Sequence, residues 1–263
     1  MESIINVDIS IDLSNKIKKY TIEKDTIGLS PANVYKLTGS DEILYLKHSP
    51  NIYKNTSFCV SRETDVINWL NGKINVPKIV FYENYQGNNF SLMTELKGTM
   101  LEKFNFSPSD YIKYLVGALN VIQSIDITDC PFESNITFRL NEYKYMLENN
   151  LEDTDCDNWE KKADFATPDE LYMWLCQNKP EENLSFSHGD LSGSNILLNN
   201  NEIGFIDLGR AGKADKWLDI AFCVMEIRYL FNEEKYVNDF FTLLGIEPDW
   251  DKINYFILLD GLF

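Results

Sequence analysis

Ser187-His188-Gly189-Asp190-Leu191-Ser192-Gly193-Ser194-Asn195, followed shortly by Phe205-Ile206-Asp207-Leu208-Gly209, decides how the rest of this chain is read. Apolar runs flank the first stretch, Leu184 to Phe186 before it and Ile196 to Leu198 after it, and Asp207 stands at the end of another. The order is a polar loop, a short hairpin and a tight turn. Transfer of a phosphoryl group from ATP needs a carboxylate near the incoming hydroxyl and oxygen ligands that hold Mg²⁺ on the phosphates. Asp190 is the candidate for the first role. Asn195 and Asp207 are the candidates for the second, for two Mg²⁺ ions. The combination H-x-D-x-x-x-x-N with I-D-L-G is specific, whereas either half alone is weaker.

These residues resemble the aminoglycoside phosphotransferase family, within the protein-kinase-like fold. The resemblance extends through Phe205 to Trp217, through Asp219-Ile220-Ala221-Phe222-Cys223 and through the tail Tyr255 to Phe263, and it covers nearly the whole chain. These segments are similar to the 3′-phosphotransferase branch that acts on kanamycin-type antibiotics. The resemblance implies an α+β fold with two lobes. Residues 1–97 would form an N-terminal nucleotide-binding lobe built on an antiparallel sheet, with the hinge at its end. Residues 98–263 would form a larger, mainly helical lobe carrying the catalytic loop and the substrate segments. The activity implied is ATP-dependent phosphorylation of the 3′-hydroxyl of kanamycin- and neomycin-type aminoglycosides, conferring antibiotic resistance. Two other readings stay open at this point. One is a related small-molecule kinase for another cationic amino alcohol or sugar, for which Trp159 would offer a choline-like group an aromatic face. The other is a catalytically silent nucleotide-binding protein, whose mark would be loss of Lys47, Asp190, Asn195 or Asp207, all of which are present.

Bulk properties narrow the partners. The chain has 263 residues, enough for a substantial core, and a net charge of −17. That balance disfavours nucleic acid, whose phosphates demand a basic footprint, and suits a small cationic substrate through long-range steering. The five cysteines include no C-x-x-C pair. The N-terminus lacks a basic segment followed by an apolar run, and no apolar run reaches the roughly 18 residues a membrane helix needs. A cytoplasmic, reduced, monomeric protein is expected.

Taken in order, the chain opens with an amphipathic helix around Leu13 to Tyr20. A hairpin follows, with Gly28-Leu29-Ser30-Pro31 at its turn. Ile43 to Lys47 reads as a strand whose alternation puts Tyr45 and Lys47 on one face. Phe58 to Gly72 reads as a helix, with Glu63 on the same stripe as Val66, Ile67 and Leu70. An inward carboxylate needs a partner, and Lys47 is the candidate. Val76 to Tyr82 and Asn89 to Glu95 read as two further strands joined by a turn at Asn84 to Asn89. By resemblance, Ser30 would meet the phosphates, Tyr45 would stack on adenine and Lys47 would grip the α- and β-phosphates, with Glu63 pairing that lysine. Met93, Glu95 and Leu96 would line the adenine site at the hinge.

The remainder reads as helical: from Ser107, capped by its side chain with Pro108 at the first turn; from Arg139 to Asn149; from Thr167 in a capping box, with Leu171, Trp174 and Leu175 inward; from Asp215 to Leu230; from Glu233 to Leu244, ended by Gly245; and from Pro248 onward. Six of the thirteen residues from Glu148 to Glu160 are carboxylates. By resemblance Asp157 and Glu160 there, with Asp260 and the terminal carboxylate of Phe263, would bind the aminoglycoside. Gly261 stands where the resemblance calls for a glutamate, which would weaken or narrow that binding. Asp219 is expected to tie down the loop backbone, and His188 to buttress it. A carboxylate of ordinary acidity is a weak base for an alcohol, so Asp190 is assigned to orienting the hydroxyl as much as to taking its proton.

Overall fold

The computed structural model describes residues 5–25, 31–151 and 165–263. The chain divides into two compact units, residues 1–98 with 204–209, and residues 99–203 with 210–263.

The first unit is built on five antiparallel strands: β1 (Thr21–Asp25), β2 (Asn33–Thr38), β3 (Ile43–Pro50), β4 (Ile79–Tyr85) and β5 (Asn88–Thr94), in the order β1-β2-β3-β5-β4. Alternation fixes what each face does. On β3, Leu44 and Leu46 are buried on one side, while Tyr45 and Lys47 share the other. The Leu44 and Leu46 face packs with Tyr35, Leu37, Phe90 and Leu92 beneath Leu13 and Ile17 of α1 (Ile11–Ile17). Burying each such leucine or phenylalanine is worth about 1.5–3 kcal/mol. Helix α1 starts where Ser10 accepts from the Leu13 amide, earlier than periodicity alone suggested. The β4–β5 turn is two residues, Gln86 and Gly87, with φ of 49° and 76°. Both being left-handed makes a tight hairpin that matches the strand twist, shorter than the turn expected from the polar run Asn84 to Asn89.

Helix α2 (Val60–Leu70) lies on the Lys47 face of the sheet. Buried hydroxyls join it there: Val60 donates its amide to Ser49 Oγ at 3.0 Å, and Thr64 Oγ1 donates to Ser91 Oγ at 2.7 Å.

In the second unit, β7 (Leu184–Ser187) pairs antiparallel with β10 (Gly212–Asp215), and β6 (Thr99–Met100) and β8 (Ile196–Asn199) pair in a small sheet completed by β9 (Glu202–Phe205), whose last two residues count with the first unit. These strands frame the loop of residues 188–195. The helices are α3 (Pro108–Gln123), α4 (Ile136–Glu148), α5 (Pro168–Gln177), α6 (Trp217–Phe231), α7 (Glu234–Leu244) and α8 (Trp250–Asp260). Helix α6 is buried along most of its length and packs against α3, α7 and α8. That makes it the central post of this unit, as an apolar-all-round helix requires.

Caps explain several boundaries. Ser107 Oγ accepts from the Asp110 amide, and Thr167 Oγ1 from the Glu170 amide. The Glu170 carboxylate, however, accepts from Ala166 and not from the capping residue. Asn135, not Arg139, opens α4, accepting from the Phe138 amide at 2.8 Å. Asp249 caps α8, which leaves Pro248 before it. Trp174, expected inside, is 36% exposed, because only Leu171 and Leu175 of α5 face the core. Among the described residues no helix is long and apolar enough to cross a membrane.

Candidate active site

In the first unit one lysine holds two carboxylates. Lys47 Nζ donates to Glu63 Oε1 at 2.7 Å and to Asp207 Oδ1 at 2.9 Å. Burial works against its charge, but Asp207 and then Glu63 outweigh that, so Lys47 is held firmly as a cation. Glu63 is brought inward by the stripe of α2, and its Oε1 also accepts from the Leu208 amide at 3.2 Å. The turn that carries Asp207 is pinned to α2 again by Arg62, whose Nε donates to the Gly209 carbonyl at 2.9 Å. A Cβ on Gly209 would stand 2.4 Å from the Ser57 carbonyl oxygen, so only glycine allows this approach. Asp207 adopts φ of 60°, uncommon for a residue with a side chain. Its side chain is half exposed, unlike that of Glu63.

In the second unit Asp190 and Asn195 are bonded to each other. The Asn195 amide nitrogen donates to the Asp190 carbonyl at 2.9 Å and to Asp190 Oδ2 at 3.1 Å. The loop that carries them is held by its backbone. Asp219 of α6 accepts from the His188 amide at 2.8 Å and the Gly189 amide at 2.9 Å. Arg139 of α4, 2% exposed, donates to the Gly189 carbonyl at 2.9 Å. Ser134 continues this brace by donating to the Arg210 carbonyl at 2.6 Å. Burial first, and then the neighbouring Arg210 guanidinium, pull Arg139 down to about 10, which leaves it charged at neutral pH. Arg210 in turn pairs with Asp260 at 3.0 Å, under the ring of Phe263.

The model of the phosphotransferase enzyme family matches residues 21–256. An aminoglycoside 3′-phosphotransferase of Enterococcus faecalis is 50% identical over 259 residues, covering 97% of this chain and 98% of that protein. The chain belongs to the aminoglycoside 3′-phosphotransferase family. Its fold is also that of solved members. An aminoglycoside 3′-phosphotransferase of type VIII superposes with a TM-score of 0.76 at 21% identity, covering 95% of this chain and 97% of that one. A Streptomyces rimosus aminoglycoside phosphotransferase, solved with ADP and streptomycin, gives 0.76 at 20% identity and 95% coverage of both chains. The fold is therefore α+β and kinase-like, as the sequence led us to expect.

Against this family frame the expected residues sort as follows. The Lys47–Glu63 pair and the Asp190–Asn195 pair are bonded as described. Tyr45 shares the face of Lys47, and Met93 pairs with Tyr45 across β3 and β5. The Glu95 amide is already donated to the Ile43 carbonyl, which leaves its own carbonyl and the Leu96 backbone for an adenine edge. Ser30, Asp157 and Glu160 lie outside the described residues, as do Gly28 and Trp159. Asp260 is described, with Arg210 as its partner. Each candidate ligand, taken by itself, has the chemistry Mg²⁺ prefers: Asp207 offers a half-exposed carboxylate, and both side-chain bonds of Asn195 use its amide nitrogen, which leaves the amide oxygen for a metal. No cluster of three or more His, Cys, Asp or Glu able to cage an ion occurs among the described residues. Mg²⁺ needs no such cage, because substrate phosphates and water complete its shell.

Sequence reading missed Arg62 and Arg139. Arg139 falls on the buried stripe of Ile136, Leu140 and Tyr143, a signal hidden when the helix is started at Arg139 itself. Arg62 carries no signal, since its acceptor is a backbone carbonyl 147 residues away.

Proposed function

We propose that this chain transfers the γ-phosphoryl group of ATP to the 3′-hydroxyl of kanamycin- and neomycin-type aminoglycosides, and so confers resistance to them. The observation that carries this reading is 50% identity over 97% of the chain to an aminoglycoside 3′-phosphotransferase. The bonded pairs of Lys47 with Glu63 and of Asp190 with Asn195 support it. Lys47 binds the α- and β-phosphates, and Glu63 keeps it aimed. Asp190, oriented by Asn195, accepts the hydrogen bond of the attacking hydroxyl and takes its proton as the new oxygen–phosphorus bond forms and the bond from the γ-phosphorus to the bridging oxygen breaks, releasing ADP. Asn195 and Asp207 hold Mg²⁺, which when bound neutralises charge on the phosphates. Ser30 meets the phosphates, and Tyr45, Met93, Glu95 and Leu96 receive adenine. Asp157, Glu160, Asp260 and the Phe263 carboxylate meet the ammonium groups of the antibiotic, and the charge of −17 draws that polycation in. The protein works as a cytoplasmic monomer.

Coupled ADP release tests this with kanamycin, neomycin, the 3′-deoxy compound tobramycin and choline. Turnover of the first two with none on tobramycin is expected. Turnover on choline alone, or on none, overturns the substrate assignment.

A further inference from the structure

The loop that carries Asp190 and Asn195 is gripped a second time, at Gly193. Glu226 lies on α6 seven residues after Asp219, about two turns further along the same face. Its Oε1 accepts from the Gly193 amide at 2.9 Å and from the Tyr111 hydroxyl. Tyr111 comes from α3, is 4% exposed and rests edge-on against Phe231. The Gly193 carbonyl accepts from the Glu102 amide at 3.2 Å. A Cβ at Gly193 would lie 2.0 Å from the Tyr111 hydroxyl and 2.8 Å from Glu226 Oε1. The clamp therefore closes fully only on glycine. Burial first, and then the bond to Glu226, push the Tyr111 phenol far above its ordinary range, so it remains a donor.

What the clamp holds is two residues from Asn195. The Asn195 amide donates to the Ser192 carbonyl at 3.0 Å, closing a turn across Gly193 and Ser194, whose hydroxyl bonds to that of Ser192 at 2.8 Å. Fixing Gly193 thus fixes the turn that aims the Asn195 side chain. Asp219 governs the start of the loop at His188 and Gly189, and leaves this far half to other groups.

We propose that Glu226 and Tyr111 are positioning residues that clamp Gly193 and thereby set Asn195 for its metal. This rests on the role given to Asn195 above. The test compares E226A, E226Q, Y111F and N195A by Mn²⁺ binding in the presence of ADP, followed by electron paramagnetic resonance. The Mg²⁺ dependence of kanamycin turnover is measured alongside. Outer groups that orient a ligand typically carry 10–100-fold in metal affinity. E226A is expected to weaken Mn²⁺ binding about tenfold and to raise the Mg²⁺ requirement equally, with the kanamycin KM unmoved. Y111F shifts both in the same direction by less. E226Q, whose amide oxygen still accepts from Gly193, restores most of the loss. Wild-type Mn²⁺ affinity in E226A, or E226Q as impaired as E226A, overturns the clamp while leaving the function intact if N195A is impaired. Wild-type Mn²⁺ affinity in N195A overturns the role of Asn195, and the clamp with it.

Discussion

The side chain of Asp207 and the loop that carries Asp190 are secured by different means. Asp207 is held by charge, through Lys47 and onward to Glu63. The Asp190 loop is held by its backbone, with amides of His188 and Gly189 given to Asp219 and the Gly189 carbonyl given Arg139. The difference suits the two tasks proposed above. If Asp207 takes a metal ion, a half-exposed side chain lets it share its lysine with that ion. If Asp190 aims at an alcohol, it needs a fixed main chain, since misplacement by an ångström is costly.

Four experiments break or sharpen this contrast, in falling order of effect. Asp190→Asn keeps an oxygen for Asn195 but removes the proton acceptor. Turnover should drop by about 10²–10⁴-fold with little change in nucleotide affinity, and near-normal turnover would reduce Asp190 to a spacer. Lys47→Met leaves Glu63 buried without its partner. Breaking such a pair costs about 3–5 kcal/mol, read by denaturant unfolding, and adding Glu63→Gln should return part of it. Asp219→Ala removes the carboxylate that accepts from the His188 amide, at about 1–3 kcal/mol, while the Gly189 amide keeps Ser187 Oγ at 3.1 Å. It should lower kcat more than it raises the KM for ATP. Equal effects on both would mean that the loop is not what Asp219 secures.

The smallest effect concerns pH. His48 is buried against Phe90 and bonded to Asn88, and burial lowers its pKa below the ordinary value of about 6.5. The unfolded chain then binds the extra proton first, so stability is full above about pH 6.5 and falls as pH drops towards the folded value. Thermal scans from pH 7.5 to 5 should show Tm falling, and His48→Gln should flatten that slope. An unchanged slope would assign the acid sensitivity elsewhere.

Part of the architecture was legible because it is local. The strand with Lys47, the stripe with Glu63 and the caps at Ser107 and Thr167 are written in periods and spacings of a few residues. The start of α4 was placed late because Asn135 was not read as a cap, and with it Arg139 was lost. Trp174 was put inside because helical spacing names a stripe without giving its width.

By itself the sequence determined the family, the strand and helix types of most segments, and the identity of Asp190, Asn195 and Asp207 as the groups to watch. Those depend on neighbours along the chain. Only the tertiary structure decided what secures them: Arg62 on the Gly209 carbonyl, Arg139 on the Gly189 carbonyl, and Tyr111 with Glu226 on Gly193. The acceptors and donors on the loop side are main-chain groups, which every residue carries alike. No side-chain pattern in a sequence can mark which of them a distant arginine or glutamate will meet.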